Sequence, residues 1–174
     1  MRTDYPVRPV RRLALVLGLL VLAGCGSSQH ESAGTTTATT PVAAKPPGPG
    51  QTLYAGGDWA VVLDGDDATA FHRVGGAWKP DRSGAVKVRV LGPDGTAPKI
   101  PQLAAEISAA KPLVESGMWL DGVELPVKGG GITPKKGTIY GAPGTPLAKG
   151  DHVAVAYGRT SEHATAVAWS FRVA

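Results

Sequence analysis

The sequence predicts an all-β fold, an antiparallel sandwich, and three observations support that prediction. The chain holds 24 glycines and 15 prolines among its 174 residues, roughly twice the usual share, which disfavours a helical bundle. Apolar and polar residues alternate along several short segments, as they do on half-buried strands. Turn-forming residues separate these segments. A hydrophobic content of 43% is enough for one core.

The first predicted element is an extra hairpin within 51–84. Two apolar runs, 59–63 and 68–74, flank three aspartates at 64, 66 and 67. Oxygen ligands at alternate positions suit a calcium ion, but the glycine and the closing glutamate of such a loop are missing at the required offsets. A hairpin turn is therefore the preferred interpretation. The hairpin either adds strands to the sandwich or forms a small sheet beside it.

The next strand is predicted over 85–91. Three valines share one face, and Lys87 and Arg89 share the other. This period of two is typical of a half-buried strand, which the turn residues 92–95 end.

A second hairpin is predicted around Asp121-Gly122, because a type I′ turn needs positive φ at both central residues. The register then places four apolar side chains on one face: Met118, Leu120, Val123 and Leu125. Trp119 and Glu124 fall on the opposite face and form the candidate binding surface, where an exposed tryptophan suits a sugar or a protein. If the sheet is covered on both sides, Trp119 belongs to the core instead.

The C-terminus predicts a third hairpin. One strand, 151–157, has Val153, Val155 and Tyr157 on one face. The other strand, 167–173, carries apolar side chains on alternate residues: Val167, Trp169, Phe171 and Val173. A short polar loop joins them, as in an antiparallel pair.

Four segments of the C-terminal half form a pattern: the hairpin at 119–122, GTIY at 137–140, PLAKGDHVAV at 146–155 and WSFRV at 169–173. Through these segments, the chain from about residue 85 to the end resembles a bacterial immunoglobulin-like domain. This resemblance implies an immunoglobulin-like sandwich over 85–174. It also implies a strand within 101–110, with Leu103, Ala105 and Ile107 inward, although this segment has good helix propensity and Pro101 suits a first helical turn.

The N-terminus has the pattern of a secretion signal. Arginines precede an apolar run of ten residues, 13–22, which is too short to span a bilayer and is typical of a signal peptide. The run ends in Leu22-Ala23-Gly24-Cys25, which resembles the lipobox of bacterial lipoproteins. That resemblance implies cleavage between Gly24 and Cys25 and a diacylglycerol on the Cys25 sulfur. The alternative is an ordinary secretory signal, but the single cysteine of the chain falls at the one position that lipidation requires.

The export route and the domain boundaries follow from the same region. Arg11-Arg12 hints at twin-arginine export, but the usual flanking residues are missing, so the general secretory route is preferred. The signal peptide spans 1–24. Residues 25–50 hold the lipidated cysteine and a Ser/Thr/Pro/Gly tether that lacks the apolar side chains to form a core. The head is predicted over 51–174.

The mature chain carries little net charge. Residues 1–24 contain four arginines and one aspartate, so residues 25–174 keep 14 basic and 13 acidic side chains. Lys87, Arg89 and Lys99 are scattered along the sequence. No basic patch is indicated, and nucleic acid is not an expected partner.

The sequence contains no set of residues whose spacing is typical of a catalytic site or a metal site. Metal is not indicated, since His72, His152 and His163 lack ligand spacing and His30 lies in the tether. No nucleophile elbow and no phosphate loop occurs, and no cofactor is expected. Two loops, 127–136 and 158–165, are the predicted partner contacts.

The sequence therefore predicts a lipoprotein held on the extracytoplasmic face of the membrane through acylated Cys25. Its head is predicted to be a non-enzymatic binding or scaffold module for an envelope protein or glycan. The alternatives are a hydrolase with an unrecognised loop site and a carrier of a small ligand or a metal.

Overall fold

The computed structural model describes residues 49–174, with the backbone alone described at positions 131 and 132. The predicted signal peptide, the lipobox cysteine and nearly all of the predicted tether lie outside the described residues. None of the described residues forms a helix long and apolar enough to cross a bilayer.

Residues 49–174 form thirteen strands, which confirms the all-β prediction. The first seven are β1 (Gln51–Gly56), β2 (Trp59–Asp64), β3 (Asp67–Val74), β4 (Ala77–Pro80), β5 (Val86–Gly92), β6 (Gly95–Ala97) and β7 (Leu103–Ala109). The other six are β8 (Glu115–Leu120), β9 (Val123–Glu124), β10 (Lys128–Thr133), β11 (Lys136–Gly141), β12 (Gly150–Arg159) and β13 (Ala164–Val173).

The strands build three sheets. The N-terminal sheet has the order β1-β2-β3-β4, the lateral sheet has the order β10-β11-β7-β5, and the central sheet has the order β6-β13-β12-β8-β9. Neighbouring strands pair antiparallel, except that β6 runs parallel to β13. The predicted extra hairpin is thus part of a four-stranded sheet of its own, which is the second of the two alternatives.

The central sheet is buried on both faces. One core lies between the lateral and central sheets and includes Val86, Leu103, Ile107, Met118, Leu120, Ala154, Ala156 and Phe171. A second core lies between the N-terminal and central sheets and includes Trp59, Val61, Leu63, Trp119, Val155, Tyr157 and Ala164. The head is therefore a β-sandwich with a third layer, and all the strand pairings lie within residues 51–174.

Strand β7 confirms the strand prediction for 101–110, and the helix alternative is wrong. Leu103, Ala105 and Ile107 are buried, and β7 pairs with β5 on one side and with β11 on the other. The backbone N–H and C=O groups of a central strand form hydrogen bonds with the strands on both sides. This gain outweighs the local helix propensity of Pro101 and the alanines that follow.

The β8–β9 hairpin has the predicted turn and register. Asp121 and Gly122 have φ values of 50° and 81°, and Leu120 pairs with Val123. The predicted inward position of Val123 is wrong, because this side chain is 66% exposed. β9 is a two-residue edge strand, and none of the sheets formed by residues 49–174 covers Val123.

The glycine-rich segment 127–136 was predicted as a loop, and this prediction is wrong for most of its length. Most of it belongs to β10, whose glycines 129 and 130 pair with Ile139 and Thr138 of β11. Glycines can form this edge strand because the pairing uses the backbone alone. Tyr140 lies across Gly130, where an added Cβ would come within 3.1 Å of the ring.

The C-terminal hairpin is confirmed, but the loop predicted over 158–165 is shorter, because Gly158 pairs with Thr165 and Arg159 with Ala164. β12 and β13 pair over ten residues, with Val155 opposite Ala168 and Tyr157 opposite Ala166. The predicted Val153, Val155 and Tyr157 face meets the N-terminal sheet. The opposite face, which carries Ala154 and Ala156, is buried as well.

Candidate functional site

The predicted binding surface at Trp119 and Glu124 is not formed. Trp119 is 2% exposed and packs edge-on against Tyr157, with ring centroids 6.3 Å apart. Glu124 is exposed. Side chains alternate between the two faces of β8, so Met118 and Leu120 point toward the lateral sheet and Trp119 points toward the N-terminal sheet, which covers it. The core alternative for Trp119 is therefore the correct one.

The three histidines of the head lie in separate places. His72 stacks on Trp59 with ring centroids 4.1 Å apart. His163 Nδ1 lies 3.3 Å from an Asp81 carboxylate oxygen, and His152 pairs with Asp121. Within residues 49–174 no three His, Cys, Asp or Glu side chains are placed to hold a metal ion. Asp64 and Asp67 pair across the β2–β3 turn and Asp66 lies within it, as the hairpin interpretation predicted.

The pair of His152 and Asp121 ties the β8–β9 turn to the start of β12. His152 Nδ1 lies 2.7 Å from Asp121 Oδ2, and Nε2 lies 3.0 Å from the carbonyl oxygen of Ala148. Asp121 Oδ1 also accepts the backbone N–H of Val153 at 3.0 Å. Hydrogen bonds to Asp121 and Ala148 raise the pKa of His152 above its ordinary value, although burial opposes them.

This pair predicts a stability that falls on the alkaline side. The folded pKa of His152 exceeds the unfolded value of about 6.5, so its contribution is fully present below pH ~6.5 and is lost as pH rises through the folded pKa. We expect the urea midpoint of the wild type to fall over that window. In Asp121→Asn the fall is expected to be smaller, because asparagine tolerates the positive φ but carries no charge. If the urea midpoints of the wild type and of Asp121→Asn fell equally with rising pH, the stabilising role of the His152–Asp121 pair would be contradicted.

The outer face of the lateral sheet carries four cations and one carboxylate. We call this the basic face: Lys87, Arg89, Lys128 and Lys136 with Glu106. Because Val86, Ile107 and Ile139 point into the core, their strand neighbours point outward. Arg89 lies opposite Glu106, and Ser108 of β7 lies between Lys87 and Lys136 on its two neighbouring strands.

Glu106 is held by two of these cations. Arg89 Nη2 lies 3.3 Å from Oε1, and Lys136 Nζ lies 3.0 Å from Oε2. The hydrogen bond from Lys136 lowers the pKa of Glu106, although some desolvation opposes it, and Arg89 adds to the lowering. Within residues 49–174 neither Lys87 nor Lys128 forms an ion pair. The face therefore has a clear excess of positive charge.

The basic face was missed by the sequence analysis. Along the sequence these bases are scattered, whereas the structure makes Lys87, Arg89 and Lys136 neighbours across β5, β7 and β11. The signal was available in part, because the alternation over 85–91 already placed Lys87 and Arg89 on the solvent side.

One end of the sandwich exposes apolar side chains. We call it the apolar end, where β5, β8 and β11 end and β7 and β10 begin, and it carries Leu91, Ile100, Val123, Val127 and Tyr140. Ile100 is 54% exposed and Leu91 is 45% exposed. An open groove of about 370 Å³ runs along it, lined by Ile100, Gln102, Pro126, Lys128 and Tyr140. Lys128 and Tyr140 are cross-strand partners, so this groove joins the basic face to the apolar end.

These surfaces are suited to binding. An open groove flanked by cations can hold an anionic or amphipathic partner by charge and by apolar contact. No protein-family model matches this chain, and no curated protein matches it either.

Proposed function

We propose that this chain is an extracytoplasmic lipoprotein, anchored in the membrane through acylated Cys25, whose head is a non-catalytic binding or scaffold module for a component of the cell envelope. The observation that carries the binding role is the basic face, a sheet surface that no other strand of residues 49–174 covers and that continues into the groove at Ile100 and Tyr140. The signal pattern that ends at Leu22-Ala23-Gly24-Cys25 supports the anchor. An immunoglobulin-like sandwich over residues 85–174 is part of this proposal.

The hydrogen bonds of two histidines support binding rather than catalysis. His152 bonds to Asp121 and to the Ala148 carbonyl, so both ring nitrogens are occupied by structural contacts. At His163, the neighbouring Thr160 hydroxyl bonds to the backbone of His163 and not to its ring. A catalytic nucleophile and its base must lie within hydrogen-bond distance of each other. The rings of these two histidines instead form hydrogen bonds that connect separate segments of the chain.

The test asks whether the head retains an envelope component through the positive charges of the basic face. We expect residues 25–174 with Cys25→Ser to retain a component of isolated envelopes at low salt, and to lose it when Lys87 and Lys128 are changed to glutamate. The matched control is Lys79→Glu with Arg82→Glu, two exposed bases outside the basic face. Turnover of an ester, peptide or glycoside substrate that one point substitution abolishes would overturn the non-catalytic proposal.

A further inference from the structure

Charge is unevenly distributed across the three layers of the head. Residues 51–174 hold 13 basic and 12 acidic side chains, so the head is nearly neutral. The basic face nevertheless has four cations and one carboxylate. The N-terminal sheet and its turns, residues 51–80, have four aspartates (58, 64, 66 and 67) and only two bases, Arg73 and Lys79.

This separation gives the head an electrostatic polarity. The central sheet lies between the lateral and N-terminal sheets, and stacked sheets are about 10 Å apart. Positive charge therefore faces outward on the lateral sheet. The aspartates lie in the turns of the N-terminal sheet, and Asp64, Asp66 and Asp67 at the β2–β3 turn lie close to Gln51. Near an extended anionic surface, such a molecule turns its positive face toward that surface.

The apolar end adds a second observation. Four of the six most exposed large aliphatic side chains of the described residues lie there: Leu91, Ile100, Val123 and Val127. Tyr140 joins them beside Lys128. Exposed aliphatics with a tyrosine and a lysine are the combination that settles at a bilayer interface, where rings and apolar groups lie at headgroup depth.

The path of the chain into the head lies at this same end. The Gln51 side chain contacts Gly122 of the β8–β9 turn. A Cβ at Gly141 would lie 2.9 Å from Met118 Sδ, which shows that the ends of β8 and β11 approach one another. The 25 residues between Cys25 and Gln51 can span at most about 3.3–3.6 Å each, far more than the thickness of three layers.

We propose that the basic face and the apolar end dock the head on the anionic lipid headgroups of a bilayer, with the lateral sheet toward the lipid and the N-terminal sheet away from it. This deepens the proposed function by naming the partner, and its geometry rests on the proposed anchor at Cys25. Each lysine or arginine near an anionic membrane contributes roughly fivefold in affinity. An acidic glycan would account for the basic face, but not for the exposed aliphatics beside it, and an acidic protein is the alternative partner that the vesicle test distinguishes.

The experiment measures vesicle binding by the chain from residue 25 on, with Cys25→Ser so that no lipid anchor contributes. This chain keeps every described contact, because both cores lie within residues 51–174. Co-sedimentation compares vesicles of phosphatidylcholine alone with vesicles in which about a third of the lipid is phosphatidylglycerol. We expect binding to the anionic vesicles only, and weaker binding as salt shortens the Debye length from about 10 Å at 0.1 M.

Three variants separate the parts of the proposal. Lys87→Glu with Lys128→Glu should weaken vesicle binding at least tenfold, and Ile100→Ser with Val127→Ser should weaken it severalfold while keeping its salt dependence. The control Lys79→Glu with Arg82→Glu should bind like the parent. Urea midpoints close to that of the parent show that each variant is folded.

Several outcomes would overturn docking on lipid. They are equal binding to both vesicle types, equal losses in the control and in the basic-face variant, and binding to soluble acidic peptide or polysaccharide without binding to vesicles. These outcomes leave the proposed anchor untouched, because the tested chain lacks it. Conversely, an unmodified Cys25 in the cell would refute the anchor without changing the vesicle result.

Discussion

Replacing Trp119 by alanine is expected to destabilise the head by about 3–5 kcal/mol, the usual cost of truncating a large buried aromatic side chain. Trp119 is buried between the central and N-terminal sheets together with Trp59 and Tyr157. Its indole also lies against Gly117 of the same strand, where an added Cβ would be 2.7 Å from Cη2. Since a domain of this size is stable by only about 5–15 kcal/mol, this loss is a large part of the total. Urea unfolding measures it.

The matched control for Trp119 is on the same hairpin. Val123→Ala removes an apolar side chain that is mostly exposed, so its expected cost is within about 0.5 kcal/mol. A Trp119→Ala loss below about 1 kcal/mol would mean that the N-terminal sheet does not cover this side chain in solution. Equal losses at Trp119 and Val123 would lead to the same conclusion.

The second large effect is expected at Cys25. Cys25→Ala removes the only thiol of the chain, and thus the only atom that can carry the proposed thioether-linked diacylglycerol. We expect the wild-type chain to enter the detergent phase and to show a lipid adduct by intact mass. The variant should remain in the aqueous phase without an adduct. The free energy gained per buried methylene, about 0.8 kcal/mol, makes the difference in partition nearly complete.

A neighbouring substitution controls for effects on export and processing that do not depend on the cysteine. Ser28→Ala lies three residues beyond the proposed acylation site and should leave both partition and mass adduct as in the wild type. Finding the wild type unmodified and fully aqueous would refute the lipoprotein proposal, and with it the expected localisation.

Local patterns were sufficient for several elements of the fold. The turn at Asp121-Gly122 was predictable because its backbone angles depend on two residues alone. The strand at 85–91 was predictable because alternation follows from strand geometry. For β7, composition was ambiguous, and only pairing with β5 and β11 decides for a strand over a helix.

The sequence by itself determined the all-β class, the main hairpins and the alternation that places Lys87 and Arg89 outside, because each depends on neighbours in the chain. The tertiary structure alone decided that Trp119 is core, that glycines 129 and 130 form an edge strand, and that four distant bases make one face. These outcomes depend on which sheet lies over which, and on strands that pair across many residues of sequence. Burial and charge at a position are set by such long-range contacts, which a single sequence does not display.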